Sequence, residues 1–200
     1  MIVIDGSAAE YNVNTFANLE ELLVKVMQEE LEDRVVTDVL VDNASFREEY
    51  PHQAEHIASD SFERVEIKSM AANEFALGIV NELDKVVELM ENSSRHIAGM
   101  FRTNQEQEAL NRFTELLQVL HDFMGMLAVL RDEYVDGKED FFDATVEDVS
   151  SQFEKMSEAT AEEKWQNLSA ILEDDFAPAV SRWKKVVASM RTTLENIHKD

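Results

Sequence analysis

A short string in the N-terminal half carries residues that could hold a metal ion. Residues 52–56 read HQAEH and have the form H-x-x-E-H. Two histidines four residues apart can bind a metal from one face of a helix, while the intervening glutamate acts as a general base on a metal-bound water. The spacing predicts metal-dependent hydrolysis, with His52 and His56 as ligands and Glu55 as the base.

The pattern resembles that of the inverzincins, zinc peptidases in which a carboxylate from a neighbouring helix also binds the metal. That resemblance implies a third ligand, but Glu74, Glu82 and Glu88 lie on a charged helical face where none of them stands out. Pro51 stands at the entry to the string, which lies in a connector between predicted strands. We favour a solvated connector with no catalytic or metal-binding residue, and keep the hydrolase as the alternative.

Other cofactor sites have no support in the sequence. The absence of cysteine excludes thiolate metal sites and thiol catalysis, and no glycine-rich phosphate loop occurs. A di-iron centre in a helical bundle needs two E-x-x-H pairs, whereas the helical part of the chain offers one, Glu195 with His198. We therefore expect no cofactor.

The charge balance limits the partners of the chain. Asp and Glu number 42 against 18 Lys and Arg, which gives a formal net charge of -24. Such a chain repels phosphate backbones and anionic lipid headgroups, so we expect neither a nucleic acid nor a membrane as partner. No apolar run approaches the roughly 18 residues of a membrane span, and the first residues lack the cationic region of a signal peptide. These features predict a cytoplasmic protein.

The C-terminal segment reverses this charge. Residues 177–200 contain five basic and two acidic residues, and Arg182 and Lys185 are among the basic ones. The simplest explanation is that the basic residues lie beside the acidic segment 131–175 and offset its charge. The functional alternative is that Arg182 and Lys185 dock an acidic partner.

The first residues predict strands and a helix. Residues 1–5 and 11–16 are predicted as the strands of a hairpin, because an Asp-Gly turn follows an apolar run and an alternating run comes next. Asn18, with Glu21 three residues further on, has the form of a capping box. The apolar spacing after it predicts a helix over 18–32.

Two further strands are predicted after this helix, over residues 34–41 and 64–68, from β-branched content and alternation. The order of two strands, a helix and two strands, with a connector of about twenty residues before the last strand, resembles the β-grasp or ubiquitin-like arrangement. The resemblance implies a fold and no activity. We predict a β-grasp-like subdomain over 1–70.

From about residue 72 the apolar residues follow helical heptads. On the first helix the predicted core seam runs through Ile79, Leu83, Val86, Met90, Ser93, Ile97 and Met100. On the second it runs through Ala109, Phe113, Leu116, Leu120, Phe123, Leu127, Leu130 and Tyr134. A shorter third helix is predicted to bury Val146, Val149, Phe153 and Met156.

The last seam is the most regular and runs through Phe176, Val180, Trp183, Val187, Met190, Leu194 and Ile197. Thr160 with Glu163 is a second capping-box candidate. Pro178 allows either one kinked helix over 160–198 or two helices. Because short connections imply antiparallel neighbours, we predict an α+β protein whose residues 72–198 form an acidic antiparallel bundle of the four-helix type.

Several large side chains do not fit one seam and are candidates for an exposed or inter-domain patch, namely Phe46, Phe62, Phe101, Met124, Met126, Phe141 and Phe142. Phe101, Met126, Phe141 and Phe142 are the interaction candidates that we select from them. The seams themselves hold no convergent polar groups that could run a reaction. We therefore expect a non-catalytic, cytoplasmic protein-interaction module, similar in type to adaptors and to secretion or flagellar export chaperones. Its expected partner is another protein, and a homo-oligomer stays open as an alternative.

Overall fold

The computed structural model describes residues 1–134 and 140–197 of the chain. The Cα positions divide the chain into two units, Met1–Phe75 and Ala76–Asp200. The first unit holds a mixed five-stranded sheet with one helix, and the second unit is helical. The protein is therefore α+β, as the sequence predicts.

The N-terminal sheet consists of β1 (Ile2–Ile4), β2 (Ser7–Ala8), β3 (Arg34–Val41), β4 (Ala44–Ser45) and β5 (Val65–Ala71). The strands lie in the order β2-β1-β5-β3-β4, with β1 parallel to β5 and the other neighbours antiparallel. Helix α1 (Leu19–Glu30) stands between β2 and β3 in the chain. The element order agrees with the β-grasp-like prediction except for β4, an additional short strand that the sequence does not predict.

A capping box fixes the start of α1. The Asn18 side chain accepts a hydrogen bond from the Glu21 backbone N–H at 2.9 Å, and the Glu21 carboxylate accepts one from the Ala17 N–H at 2.6 Å. The predicted cap is confirmed. The buried face of α1 shares one apolar core with the central strands, which includes Ile2, Leu19, Leu22, Val26, Val65 and Ile67.

The second predicted strand, residues 11–16, is absent from the sheet. Val13–Thr15 forms a 3-10 turn instead, because the Asn12 side chain accepts a hydrogen bond from the Asn14 N–H and turns the backbone. Only Ser7–Ala8 pairs with β1 on that side. The hairpin is therefore shorter than the alternation of residue types predicts.

Three long helices follow the sheet: α2 (Ala72–Arg102), α3 (Glu106–Tyr134) and α4 (Asp140–Ala161). A final helical run comprises α5 (Trp165–Ala170), a π-helical turn (Ile171–Phe176), α6 (Ala177–Ser181) and α7 (Trp183–Ile197). Buried residues of all these segments form one apolar core. The antiparallel arrangement of the bundle stays a prediction, and its predicted end at residue 198, with the ligand candidate His198, lies outside the described residues.

The predicted core seam of α3 is confirmed, since all its members from Ala109 to Leu130 are buried. The predicted seam of α2 is confirmed at Leu83, Met90, Ile97 and Met100, which are buried. At Ile79, Val86 and Ser93 the next residue along the chain is buried instead, which gives Val80, Val87 and Ser94, and Phe101 is buried in addition to Met100. Buried Ser94 is satisfied, because its hydroxyl donates to the Met90 carbonyl at 2.6 Å.

The seam of α4 also differs from the prediction. Its buried positions are Phe142, Thr145, Val149, Gln152, Met156 and Ala159. Val146 is half-buried, and Phe153 is 47% exposed. The buried positions follow steps of three and four residues that begin at Phe142. Phe142 lies in the core, where its ring makes a T-shaped contact with Trp183.

The final helical run decides between the two alternatives that Pro178 left open. Residues 165–181 are helical without interruption, and a single turn residue, Arg182, leads into α7. Proline lacks the N–H that would bond to the carbonyl four residues earlier, and a wider π-helical turn, Ile171–Phe176, directly precedes it. The run is one irregular helix that begins at Trp165.

The predicted capping box at Thr160 is wrong. Thr160 lies in the last turn of α4, where its hydroxyl donates to the Met156 carbonyl at 2.7 Å. Glu163 has a φ of 53°, a left-handed conformation typical of the residue after a helix end. The two residues therefore end one helix and do not begin the next.

Candidate functional site

The H-x-x-E-H string forms a turn. Ala54–His56 is a single 3-10 turn, and His52 has a φ of 62°, which lies outside the right-handed helical region. The structure therefore does not bring His52 and His56 together on one helical face, as the predicted hydrolase site requires. The His56 ring lies 6.4 Å from the Tyr50 ring instead.

A different carboxylate meets the string. Glu20, in the first turn of α1, places its Oε1 3.7 Å from His52 Nδ1. One ligand atom from each of Glu20, His52 and Glu55 lies within 4.8 Å of the other two. Glu20 is half-buried, whereas His52 and Glu55 are exposed. The motif identified His52 and Glu55, but no local pattern points to Glu20, which is distant in the chain.

Backbone hydrogen bonds fasten this turn to the start of α1. The Leu19 N–H donates to the Ile57 carbonyl at 2.9 Å, and the Ser59 N–H donates to the Ala17 carbonyl at 3.3 Å. The chain therefore holds the string and the first turn of α1 side by side.

Two of the aromatic interaction candidates are core residues, which corrects the prediction. Phe101 is 1% exposed and stacks on Trp165 with ring centroids 5.6 Å apart. Phe142 is 4% exposed, packs against Trp183, and has the Arg131 guanidinium 4.6 Å above its ring. Both belong to core seams that are rotated by one residue from the predicted ones, and neither lines a free surface.

The other two candidates, Met126 and Phe141, are exposed by 41% and 44% of their surface. Neither lines a described cavity. Phe153, which the sequence places in the core, is exposed to a similar extent and does line cavities. A correct helical register of α4 would have identified it.

An apolar groove runs between α3 and α4. Two adjoining cavities of about 320 Å³ and 570 Å³ form it, and they share Leu117 and Phe153. Seam residues of both helices lie at its base, namely Phe113, Leu120, Val149 and Met156. Residues of its edge include Thr114, Gln118, His121, Met124, Ser150 and Glu154. We name this surface the α3–α4 groove.

Helix α3 contains a long stretch of mostly apolar residues. Among the described residues it alone is long and apolar enough to cross a membrane, by length and composition, with a mean hydropathy of 1.3 over its most apolar 18 residues. The sequence predicts no apolar run of this length; the finding differs because the criterion of length and composition allows a few charged residues within the stretch. Core helices of soluble proteins satisfy the same test, and 33% of this stretch is fully buried. Leu117, Val119 and Met124 are partly buried against the core, and the exposed large apolar residues of α3 are Met126 and Val129.

Basic residues of the last helical run pair with acidic residues of other helices. Arg182 forms an ion pair with Asp148 of α4, as the charge-offset explanation predicts. Arg191 pairs with Asp84, which lies on α2 and outside the acidic segment considered from the sequence. Lys185 is exposed.

A further ion pair joins α2 and α7. Lys184 Nζ lies 2.9 Å from the carboxylate of Glu91, and Arg95 lies 2.8 Å from the same carboxylate. The hydrogen bond from Lys184, assisted by Arg95, holds the pKa of Glu91 below its usual value against the opposing effect of burial. Much of the C-terminal positive charge is thus used within the protein.

Two family models match the chain. Residues 1–70 match a domain of unknown function (DUF8043), and residues 78–186 match a second domain of unknown function (DUF8042). The second match covers more than half of the chain. The chain belongs to the DUF8042 family. No curated protein and no solved structure matches it. The α3–α4 groove lies in the DUF8042 region, and the Glu20, His52 and Glu55 cluster lies in the DUF8043 region.

Proposed function

We propose that the protein is an interaction module that binds an apolar, basic helical segment of another protein in the α3–α4 groove. One observation carries this proposal: on α4, Gln152 is 8% exposed while its neighbour Phe153 is 47% exposed. Folding alone favours the reverse, since burying phenylalanine is favourable and burying an amide costs free energy that the hydrogen bond from Lys155 Nζ to Gln152 Oε1, at 3.2 Å, offsets only in part. Such local conflicts concentrate at functional surfaces.

The dimensions of the groove suit a helix. From Phe113 to Met124 it follows α3 over about 16 Å, at 1.5 Å per residue, which corresponds to about three helical turns. An amphipathic helix places residues i, i+3 or i+4, and i+7 on one face and can insert them between two helices. Leu117, Met124 and Phe153 offer the apolar contacts for such a face.

Charge indicates the flanks of the partner. Helices α3 and α4 carry twelve acidic and three basic residues. Glu154, at the edge of the groove, has no hydrogen bond or ion pair within residues 1–134 and 140–197. A segment with Lys or Arg beside its apolar face complements this surface, whereas a second copy of the chain or an anionic lipid brings like charge. We therefore propose a basic protein segment as occupant.

A designed peptide tests the proposal. The probe is a fluorescein-labelled helical peptide with leucines at i, i+4, i+7 and i+11 and lysines on its flanks, and binding is followed by fluorescence anisotropy. A scrambled peptide of the same composition keeps the charge and removes the apolar face. We expect the amphipathic peptide to bind about tenfold more tightly than the scrambled one, a difference of about 1.4 kcal/mol.

Matched substitutions on α4 locate the binding surface. Phe153→Ser is expected to weaken binding of the amphipathic peptide about tenfold, while Phe141→Ser, which removes an equally exposed phenylalanine outside the groove, leaves it within about twofold. Both variants are expected to lose a similar amount of stability, about 1 kcal/mol, because each side chain is slightly more than half buried. Equal binding of both peptides, or equal losses in both variants, would refute the proposal.

A further inference from the structure

We propose that Glu20, His52 and Glu55 form a binding site for a divalent transition-metal ion, with Zn²⁺ as the reference ion. The site is independent of the α3–α4 groove and lies in the other family region. It also differs from the site that the H-x-x-E-H spacing predicts, because Glu20 takes the place of His56.

The donor atoms lie slightly farther apart than two ligands on one ion do. Glu20 Oε1 and His52 Nδ1 are 3.7 Å apart, which is too long for a hydrogen bond between them. Two ligands at about 2.0–2.1 Å from a tetrahedral ion are about 3.3 Å apart. A Glu55 oxygen lies within 4.8 Å of both atoms, so the three donors need to move together by about 1 Å or less to surround one ion.

The donor set indicates the class of metal. One imidazole nitrogen and two carboxylate oxygens suit zinc and its neighbours in the first transition series. Mg²⁺ and Ca²⁺ prefer sets made entirely of oxygen. Three protein ligands leave one tetrahedral position for water.

The backbone brings these donors together without a metal. The hydrogen bonds from Leu19 to Ile57 and from Ser59 to Ala17 hold the 52–56 turn against the start of α1. The side chain of Glu48 adds a further anchor, since it accepts a hydrogen bond from the Ala54 N–H at 3.0 Å. An ion bound there would tie the two segments together through side chains as well.

The role of Glu55 also changes in this arrangement. In the site that the H-x-x-E-H motif predicts, Glu55 acts as a base beside a metal ion bound by both histidines. In the structure its carboxylate is one of the three donors, and His56 lies against Tyr50 outside them. The proposed site therefore makes opposite predictions for His56 and Glu20.

Calorimetric titration of the full chain with ZnCl₂ tests the site, in buffer of physiological ionic strength with excess Mg²⁺ to occupy unspecific carboxylate sites. We expect one Zn²⁺ per chain. His52→Ala and Glu20→Gln should each weaken binding about tenfold or more. His56→Ala and Glu49→Gln are matched controls, which remove a neighbouring imidazole and a neighbouring carboxylate outside the cluster, and should leave the affinity within about twofold. Circular dichroism checks that each variant stays folded.

Three results would overturn the proposal. The first is the absence of stoichiometric binding. The second is a loss of Zn²⁺ affinity in His56→Ala as large as that in His52→Ala, which would show that the two histidines of the H-x-x-E-H motif are the ligands. The third is unchanged binding in Glu20→Gln, which would indicate an adventitious ion only.

Discussion

Trp183 connects three helices of the core through aromatic contacts. It is fully buried, and the rings of Phe123 and Phe142 make T-shaped contacts with it at 5.7 Å and 5.4 Å. Its indole Nε1 is buried and has no hydrogen-bond partner among the residues that the structure describes. The predicted burial of Trp183 is confirmed, and its stabilising effect comes from packing and not from a hydrogen bond.

Truncation of this side chain should therefore destabilise the protein strongly. Trp183→Ala is expected to lower the free energy of unfolding by about 3–5 kcal/mol, because it leaves a large cavity in the core. Urea denaturation followed by circular dichroism measures this loss. In a Trp165→Phe variant Trp183 is the remaining tryptophan, and its emission should be blue-shifted and resistant to acrylamide. Red-shifted, freely quenched emission would contradict the core assignment.

At the scale of residues, the sequence identified part of each site. Spacing alone pointed to His52 and Glu55, because both lie in one short string. Glu20 could not be found in this way, since only the folded chain brings the first turn of α1 to that string. Phe153 was missed for a different reason: a phenylalanine at a plausible seam position is expected in the core.

The helices show why a heptad pattern can be correct in type and wrong in register. On α2 the predicted and observed seams differ at neighbouring pairs that are nearly equivalent, such as Val86 with Val87 and Ser93 with Ser94. The sequence could not choose between them, because both members of each pair are apolar or both are small and polar. On α3 the register was predicted correctly, although seam residues such as Leu116, Phe123 and Leu130 also have apolar neighbours.

The ion pair between α2 and α7 gives a prediction about pH. The pKa of Glu91 is lower in the folded chain than its usual value of 4.5, because Lys184 and Arg95 favour the ionised form. Its contribution to stability is thus present above that usual value and is lost as the pH falls through the lowered pKa. Glu91→Gln should lower the free energy of unfolding by about 1 kcal/mol at pH 7, since the pair is partly exposed.

The difference between Glu91→Gln and the unchanged protein should disappear under acidic conditions, where Glu91 is protonated in both the folded and unfolded states. Glu147→Gln serves as the control, because Glu147 is exposed and has no ion pair within the described residues. Denaturation curves across the acidic range give the comparison. A Glu91→Gln effect that stayed constant with pH would show that the carboxylate acts through packing and not through its charge.

At the scale of the whole molecule, each unit has its own apolar core. A fragment of residues 72–200 should therefore give a helical circular dichroism spectrum and a cooperative thermal transition. A fragment of residues 1–70 should give a mixed α/β spectrum. If the helical fragment is unfolded on its own, its fold depends on the N-terminal segment, and the two segments are not independently folding domains.

The distribution of charge over the whole chain supports a basic partner over self-association. With a net charge of -24, two copies repel each other unless a large apolar surface is buried between them. The same charge attracts a segment rich in Lys or Arg to the chain as a whole. Position on the molecule, and not affinity alone, therefore distinguishes binding in the α3–α4 groove from unspecific attraction.

Methyl NMR of methionine tests the groove most directly, because methionines lie inside and outside it. Met124 of α3 and Met156 of α4 line the groove. Met126 of α3 is exposed outside the groove, and Met27 is exposed on α1. When ε-methyl-labelled protein is titrated with the amphipathic peptide, we predict saturable shifts of the Met124 and Met156 signals, with those of Met126 and Met27 nearly unchanged. If peptide binding reaches saturation and the shifts are confined to Met126 or Met27, the proposed function is contradicted. Saturated binding with no shift of the Met124 signal would contradict it as well.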